Sequence, residues 1–182
     1  MSWDDASDTE LVRRFKSGDD GAFDAIVERF QDRIFRLASV SLIDQQYAAD
    51  VTQEVLVRSH KGLRGFRFRA EPFTWVYRTT KLVCREFNRR RRTEALDGDL
   101  ADTSATPERL VADYERMQRV RELVAGLPDR QREVVMLRIF EDLSVRETAK
   151  AMGASEGTVK ALLHKAKDRL EKETMRRGIG ND

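Results

Sequence analysis

The 182-residue chain is 40% hydrophobic and 36% charged, with 34 Lys+Arg against 32 Asp+Glu and a net charge of +2, so it can bury a core as one large or two small domains. A single cysteine, Cys84, excludes an internal disulfide, and no charged-then-apolar leader or apolar run of about 20 residues is visible, which points to a reducing cytoplasm without membrane insertion. The two histidines, His60 and His164, are far apart with no second Cys or His ligand near either; they do not make a zinc site, and no cofactor is expected.

Apolar residues recur at helical spacing almost throughout and no stretch sustains the alternation of a strand, so the expected fold is all-α, as two small helical domains. A first short helix is signalled by cap candidates at Ser7 to Thr9, by Leu11, Val12 and Phe15 on one face, and by Gly18 as its stop. Asp19 or Asp20 caps the next, whose stripe of Phe23, Ile26, Val27, Phe30, Ile34, Leu37 and Ala38 makes it long and amphipathic. A third helix begins near Asp44 and runs through Ala48, Val51 and Val55 towards Gly62. Gly62 and Gly65 then open an aromatic and basic loop reaching Pro72. The fourth starts near Pro72 or Phe73, carries Trp75, Val76, Thr79, Leu82, Val83 and Phe87 as packing positions, and ends in Arg89 to Arg92, completing a bundle over 1–92. Cys84, beside Leu82 and Val83, reads as a small buried thiol.

Residues 93–107, TEALDGDLADTSATP, hold four acids and no basic residue, with too little apolar surface to fold alone; a flexible acidic linker is expected. Thr106 and Pro107 then look like a cap with proline in the first turn, opening a second domain, 108–182, with Leu110, Tyr114, Met117 and Val124 facing inward and Pro128 dividing two helices.

The segment Leu143 to Leu170 carries the strongest local signal. Ser144 and Glu147 form a capping box that fixes one helix start; Ala149 is small enough for a second helix to cross closely; Gly153 permits a tight turn; Ser155 caps the second helix. This is the pattern of a helix-turn-helix. Its second helix buries Val159, Leu162, Leu163, Ala166 and Leu170 and turns Glu156, Gly157, Lys160, Ala161, His164 and Lys165 outward. An ordinary helical hairpin with a solvated face would not need all four features together. On duplex DNA, Lys160 and Lys165 suit guanine O6/N7 or phosphate, Glu156 a cytosine N4 and His164 a base edge or sugar; Ser155, Thr158 and Lys167 complete the expected duplex-facing set.

Two further constellations lie in the N-terminal half. Phe66, Phe68, Phe73, Trp75 and Tyr77 alternate with Arg64, Arg67, Arg69 and Arg78, and Arg85 and Arg89 to Arg92 follow. Aromatic faces stack on unpaired bases while cations follow the backbone, which suits melted DNA; core aromatics beside a solvated basic face remain the alternative. The residues expected to meet single strands are Arg64, Phe66, Arg67, Phe68, Arg69, Arg78, Lys81, Arg85 and Arg89. Asp50, Gln53 and Glu54 form the second set. The spacing of Asp50 and Glu54 puts both carboxylates on one helix face, and without a pocket-forming loop or metal set the face reads as solvated or protein-docking.

With these residues in place the chain resembles the extracytoplasmic-function sigma factors, which keep the second and fourth conserved regions of the sigma-70 family. AFDAIVERFQDRIFRLA looks like the start of region two, DVTQEV resembles its polymerase-clamp-binding helix, and FTWVYRTTKLVCREFNRRRR resembles the helix that engages the −10 element. LPDRQREVVMLRIFEDLSVRETAKAMGASEGTVKALLHKAKDRL is similar to region four. The resemblance implies that Asp50, Gln53, Glu54 and Leu56 hold core RNA polymerase. It implies that Lys160, Ala161, His164 and Lys165 read the −35 element, that the Gly65 to Pro72 loop captures a flipped base of the non-template −10 strand, and that an anti-sigma factor regulates the chain. Leu82 and Leu162 stand where members often carry asparagine and arginine. The alternative from another class is a free-standing helix-turn-helix regulator of duplex operators, which would need neither the DVTQEV helix nor the aromatic-basic loop. A nucleic-acid enzyme would want a phosphate-cradling loop, a metal cluster or a nucleophile–base pair, so a non-enzymatic role is expected.

Overall fold

The structure, a computed structural model, describes residue 3 and residues 5–96 and 119–178; they form helices and connections, with no strand among the described residues. The chain divides into two compact units, Met1–Asp97 and Gly98–Asp182. The part of the expected 93–107 linker from residue 97 onward, and the helix start expected at Thr106 and Pro107 with Leu110, Tyr114 and Met117, lie outside the described residues, as do residues 179–182. No helix among the described residues is long and apolar enough to cross a membrane.

In the N-terminal unit, α1 (Asp8–Lys16) starts where the Ser7 hydroxyl accepts the Glu10 N–H at 3.2 Å, and the chain leaves it through Gly18 at φ +99°, a conformation that suits glycine. Its Leu11, Val12 and Phe15 are fully buried. The long α2 (Asp20–Ser41) packs on α1, α3 (Ala48–Arg64) and α4 (Pro72–Leu96), and its Ile26, Phe30, Ile34, Leu37 and Ala38 form the centre of the core. Phe23 and Val27, expected on the same stripe, are half-buried; Phe23 lies at the edge against Phe15 and His60, with ring centroids 4.9 and 4.8 Å away. Each large apolar side chain fully removed from water here contributes about 1.5–3 kcal/mol, which sets the bundle's stability far more than any surface pair.

Three helix ends differ from the sequence expectation: the helix expected near Asp44 opens as a 3-10 turn over Gln45–Tyr47, capped by Asp44, and α3 proper begins at Ala48. Gly62 does not end α3, which runs on to Arg64. A Cβ built on Gly62 would lie 2.3 Å from Cη2 of Trp75, so the glycine is there to let the indole lie against the helix, a tertiary demand with no local signature. Likewise α4 passes Arg92 and reaches Leu96, four residues into the expected linker. Glu94, Ala95 and Leu96 are good helix formers, and nothing in them stops a helix already propagating.

Asn88 of α4 closes the far end of α2. Its Nδ2 donates to the Ser41 carbonyl and its Oδ1 accepts the Ile43 N–H, both at 2.9 Å, across more than forty residues of chain. Asn88→Ala leaves both groups without that partner and is expected to destabilise the N-terminal unit by about 1–3 kcal/mol, read as a lower urea midpoint with an unchanged m-value. Cys84 is buried on the same helix, and burial pushes its thiol up to about 12, so it stays protonated and acts as a packing residue.

In the C-terminal unit, helical residues 119–125 (α5) lead through Gly126 and Leu127 to α6 (Asp129–Val135). Pro128 divides the two, as its fixed φ requires, and Arg132 reaches back to the Ala125 and Leu127 carbonyls at 2.7 and 3.0 Å, satisfying the end of α5. α6 widens into a π turn over Met136–Phe140, then α7 (Val145–Met152) and α8 (Glu156–Arg176) follow. Both α6 and α7 pack on α8 around Val134, Leu137, Thr148 and Val159.

Candidate nucleic-acid and protein-binding faces

The helix-turn-helix is built as the residue pattern requires. Ser144 accepts the Glu147 N–H at 3.2 Å while the Glu147 carboxylate accepts the Ser144 N–H at 2.8 Å, closing the capping box. Hydrogen bonding to the carboxylate by the Ser144 side chain first, then by the Ser144 backbone N–H, holds the Glu147 carboxyl below the usual carboxylate range. Gly153 sits at φ +60° and ψ +44°, the left-handed geometry that turns the chain out of α7, and Ser155 caps α8. Ala149 is buried at the crossing; Val159 and Ala166 are fully buried from α8, while Leu162, Leu163 and Leu170 are half-buried.

On the opposite side of α8, Glu156, Gly157, Lys160, Ala161, His164, Lys165 and Lys167 are all exposed. Two residues of the expected duplex-facing set have a local role as well: Ser155 Oγ accepts the Thr158 N–H at 3.1 Å and lies 2.9 Å from the Thr158 hydroxyl, so both help to fix the N-terminus of the helix. That N-terminus presents backbone N–H groups and the positive end of the helix dipole, which favours phosphate. His164 is 3.1 Å from Asp168 through Nδ1, a contact one turn along α8 that orients the ring.

The turn before α7 carries a feature the sequence did not advertise. Asp142 adopts φ +46°, and the Arg138 guanidinium, from the π turn, donates to the Leu143 carbonyl just beyond it. Aspartate tolerates this conformation and a β-branched side chain does not. Asp142→Val is expected to cost about 1–2 kcal/mol in the C-terminal unit and Asp142→Gly to be tolerated, compared by thermal unfolding.

The second face is on α3 and α4. Asp50 and Gln53 are exposed and Glu54 is half-buried; Leu56, assigned to the same set, turns inward and is buried. Arg58 ties this row to α4: its Nε lies 2.7 Å from Glu54, and its two terminal nitrogens lie 3.3 and 2.8 Å from the Glu86 carboxylate. The guanidinium holds the Glu86 carboxyl below its usual range, and the two carboxylates raise the arginine's own value. Asp50, Gln53, Glu54, Val57, Arg58, Glu86, Phe87 and Arg90 line an open groove of about 420 Å³ between the helices. Exposed Val57 gives it an apolar patch amid charge, a combination suited to a protein partner.

The third face is basic. Arg78, Lys81, Arg85, Arg89 and Arg92 recur at three- and four-residue spacing, one stripe along α4, and all but the half-buried Lys81 are exposed. Of the aromatics in and beside the loop, Phe73 and Tyr77 belong to the core, and Phe66 is buried with its ring 5.1 Å from Phe68 and 6.4 Å from Trp75. Phe68 is half-exposed, at φ +53°, flanked by exposed Arg67 and Arg69. Arg64 is exposed and pairs loosely with Asp20 at 3.4 Å. The aromatic half of the expected single-strand set thus divides by burial: Phe68 offers a ring to solvent, and Phe66 supports it from beneath.

Comparison with known proteins agrees on both units. The family model for Sigma-70 region 2 matches residues 26–94, and that for Sigma-70 region 4 matches residues 117–170. The ECF RNA polymerase sigma factor SigM of Mycobacterium tuberculosis (strain ATCC 25618 / H37Rv) is 30% identical over 164 residues, covering 90% of this chain and 83% of that protein. Among solved structures, CnrH in complex with the cytosolic domain of CnrY superposes with a TM-score of 0.71 at 22% identity, over 93% of this chain and 97% of that one. The sigma factor RpoE of Bartonella quintana, solved with the anti-sigma factor NepR, gives a TM-score of 0.65 at 19% identity, over 82% and 94%. These two likenesses establish the fold.

Proposed function

The chain belongs to the extracytoplasmic-function group of sigma-70 factors, and from that premise we infer that it is an alternative initiation factor that binds core RNA polymerase, recognises promoter DNA and assists its melting. The observation that carries this is the presence, in order on one chain, of a region 2 match and a region 4 match, the second ending on an exposed helix-turn-helix face. A free-standing operator-binding regulator accounts for the second alone.

Roles follow the faces. The α3 row of Asp50, Gln53 and Glu54 docks on core polymerase, with Leu56 shaping the helix from its buried side. The α4 stripe follows the backbone of the melted −10 strand, and the loop around Phe68 receives an unstacked base. The N-terminal half of α8 enters the major groove of the −35 element, with Lys160 and Lys165 as its cations and Ser155 and Thr158 at the helix start. The modules are assigned to 1–92 and 108–182, joined by 93–107, whose four acids would resemble nucleic acid to the basic paths of the polymerase. The factor works in the cytoplasm without making or breaking a covalent bond. Its regulator is an anti-sigma protein, a reading supported by the solved RpoE–NepR complex of similar fold.

The test is sequencing of run-off transcripts from fragmented genomic DNA, with sigma-free core polymerase in the presence and absence of the protein. New starts sharing two spaced upstream elements are expected. A folded protein that binds duplex DNA yet yields no dependent start would overturn the initiation role in favour of the free-standing regulator.

A further inference from the structure

We propose that the last turn of α1 is part of the single-strand site, with Lys16 as a positioning residue for Phe68 and Arg13 as a phosphate contact. The proposal rests on the reading of the Phe68 loop as the place where an unstacked base is held. Lys16 Nζ donates to the Phe66 carbonyl at 2.5 Å, fifty residues away in sequence, and lies 5.2 Å from the centroid of the Phe68 ring. The Arg13 guanidinium carbon is 5.4 Å from the same centroid. Arg13 and Lys16 are both exposed and one turn apart on α1, whose Leu11, Val12 and Phe15 are buried.

Phe68 needs such support. A bulky residue at φ +53° is in a sparsely populated conformation, and a loop relaxes out of it unless its surroundings hold it there. Below, the buried Phe66 ring meets Phe68 at a steep angle of 72°. At the side, the two cations of α1 lie against its π system, and Lys16 also pins the backbone two residues earlier. The two cations differ in what they can do when a strand arrives. Arg13 can leave the ring for a backbone phosphate, for which its planar fork is suited, as the base takes its place on the ring. Lys16 cannot follow without giving up its bond to Phe66, so its effect reaches DNA through the loop.

The experiment uses the full chain and a fluorescein-labelled mixed-sequence 15-nucleotide strand, alone and annealed to its complement, with binding followed by anisotropy across a salt series. Lys16→Met is expected to weaken single-strand binding about tenfold while leaving the salt slope, duplex affinity and thermal midpoint unchanged, and Lys16→Arg to restore most of the loss. Arg13→Ala is expected to weaken single-strand binding and to lower the slope by about 0.7, the loss of one phosphate contact. If Lys16→Met lowered the slope by that amount, or lowered the melting midpoint without rescue by arginine, the positioning role would be wrong. Unchanged strand affinity in both variants, with the wild type binding strands, would remove α1 from the site. A wild type with no affinity for single strands would instead bring down the reading of the loop itself, a result distinct from the other two.

Discussion

Lys160→Ala combined with Lys165→Ala is expected to weaken binding of a promoter duplex by about 10–100-fold at low salt, and to reduce the slope of log affinity against log salt by nearly two, about 0.9 for each phosphate contact removed. Both lysines are exposed on the side of α8 away from Val159 and Ala166, and alanine is a better helix former than lysine, so the helix and its packing stay in place. The single variants separate two kinds of contact. A lysine on guanine O6/N7, once lost, relaxes preference at one base pair, whereas a lysine on phosphate weakens all sequences alike. The check is anisotropy with the promoter obtained from run-off mapping and with point-substituted versions of it. Wild-type affinity and slope in the double variant would remove this face from the duplex.

How far the residues alone reveal this architecture depends on whether the causes are local. The capping box at Ser144 and Glu147, the left-handed Gly153 and the cap at Ser155 each satisfy backbone groups within a few residues, so the helix-turn-helix is legible in the sequence as it stands. The α2 stripe is legible for the same reason, since its 3.6-residue period is imposed by a core on one side. Causes that act across the chain leave no such trace. Gly62 reads as a helix stop because glycine often ends helices, but Trp75 from the next helix explains it. Phe66 and Phe68 read as equals in an aromatic-basic loop, and only packing tells the buried ring from the half-exposed one. Leu56 is of the legible kind: two residues from Glu54, a 100° step per residue with the core at Val51 and Val55 already turns it to the other side of α3, where it is buried. The π turn at Met136–Phe140 and the positive φ of Asp142 have no sequence signal that we can identify, and arise where α6 must hand over to α7 within a few residues.

Asp50→Ala combined with Glu54→Ala is expected to weaken the association with core polymerase by about 10–100-fold while barely moving the unfolding midpoint of the N-terminal unit. The reason lies in how Arg58 is shared. Asp50 is exposed on the surface, and removing Glu54 takes one carboxylate from a guanidinium that keeps its paired contacts to Glu86, so no buried charge is stranded. Arg58→Ala is different: it frees Glu54 and Glu86 together, leaves two carboxylates facing one groove and unties α3 from α4, at a cost of about 1 kcal/mol given that the side chain is part-exposed. Arg58→Ala therefore lowers stability and affinity together, whereas the acidic pair acts on affinity alone. Competition against a labelled wild-type chain for core polymerase, paired with thermal melts of each variant, separates the two. Wild-type competition by the acidic double variant would show that the polymerase does not dock on this row, and would move the contact to the remaining walls of the groove at Val57, Phe87 and Arg90.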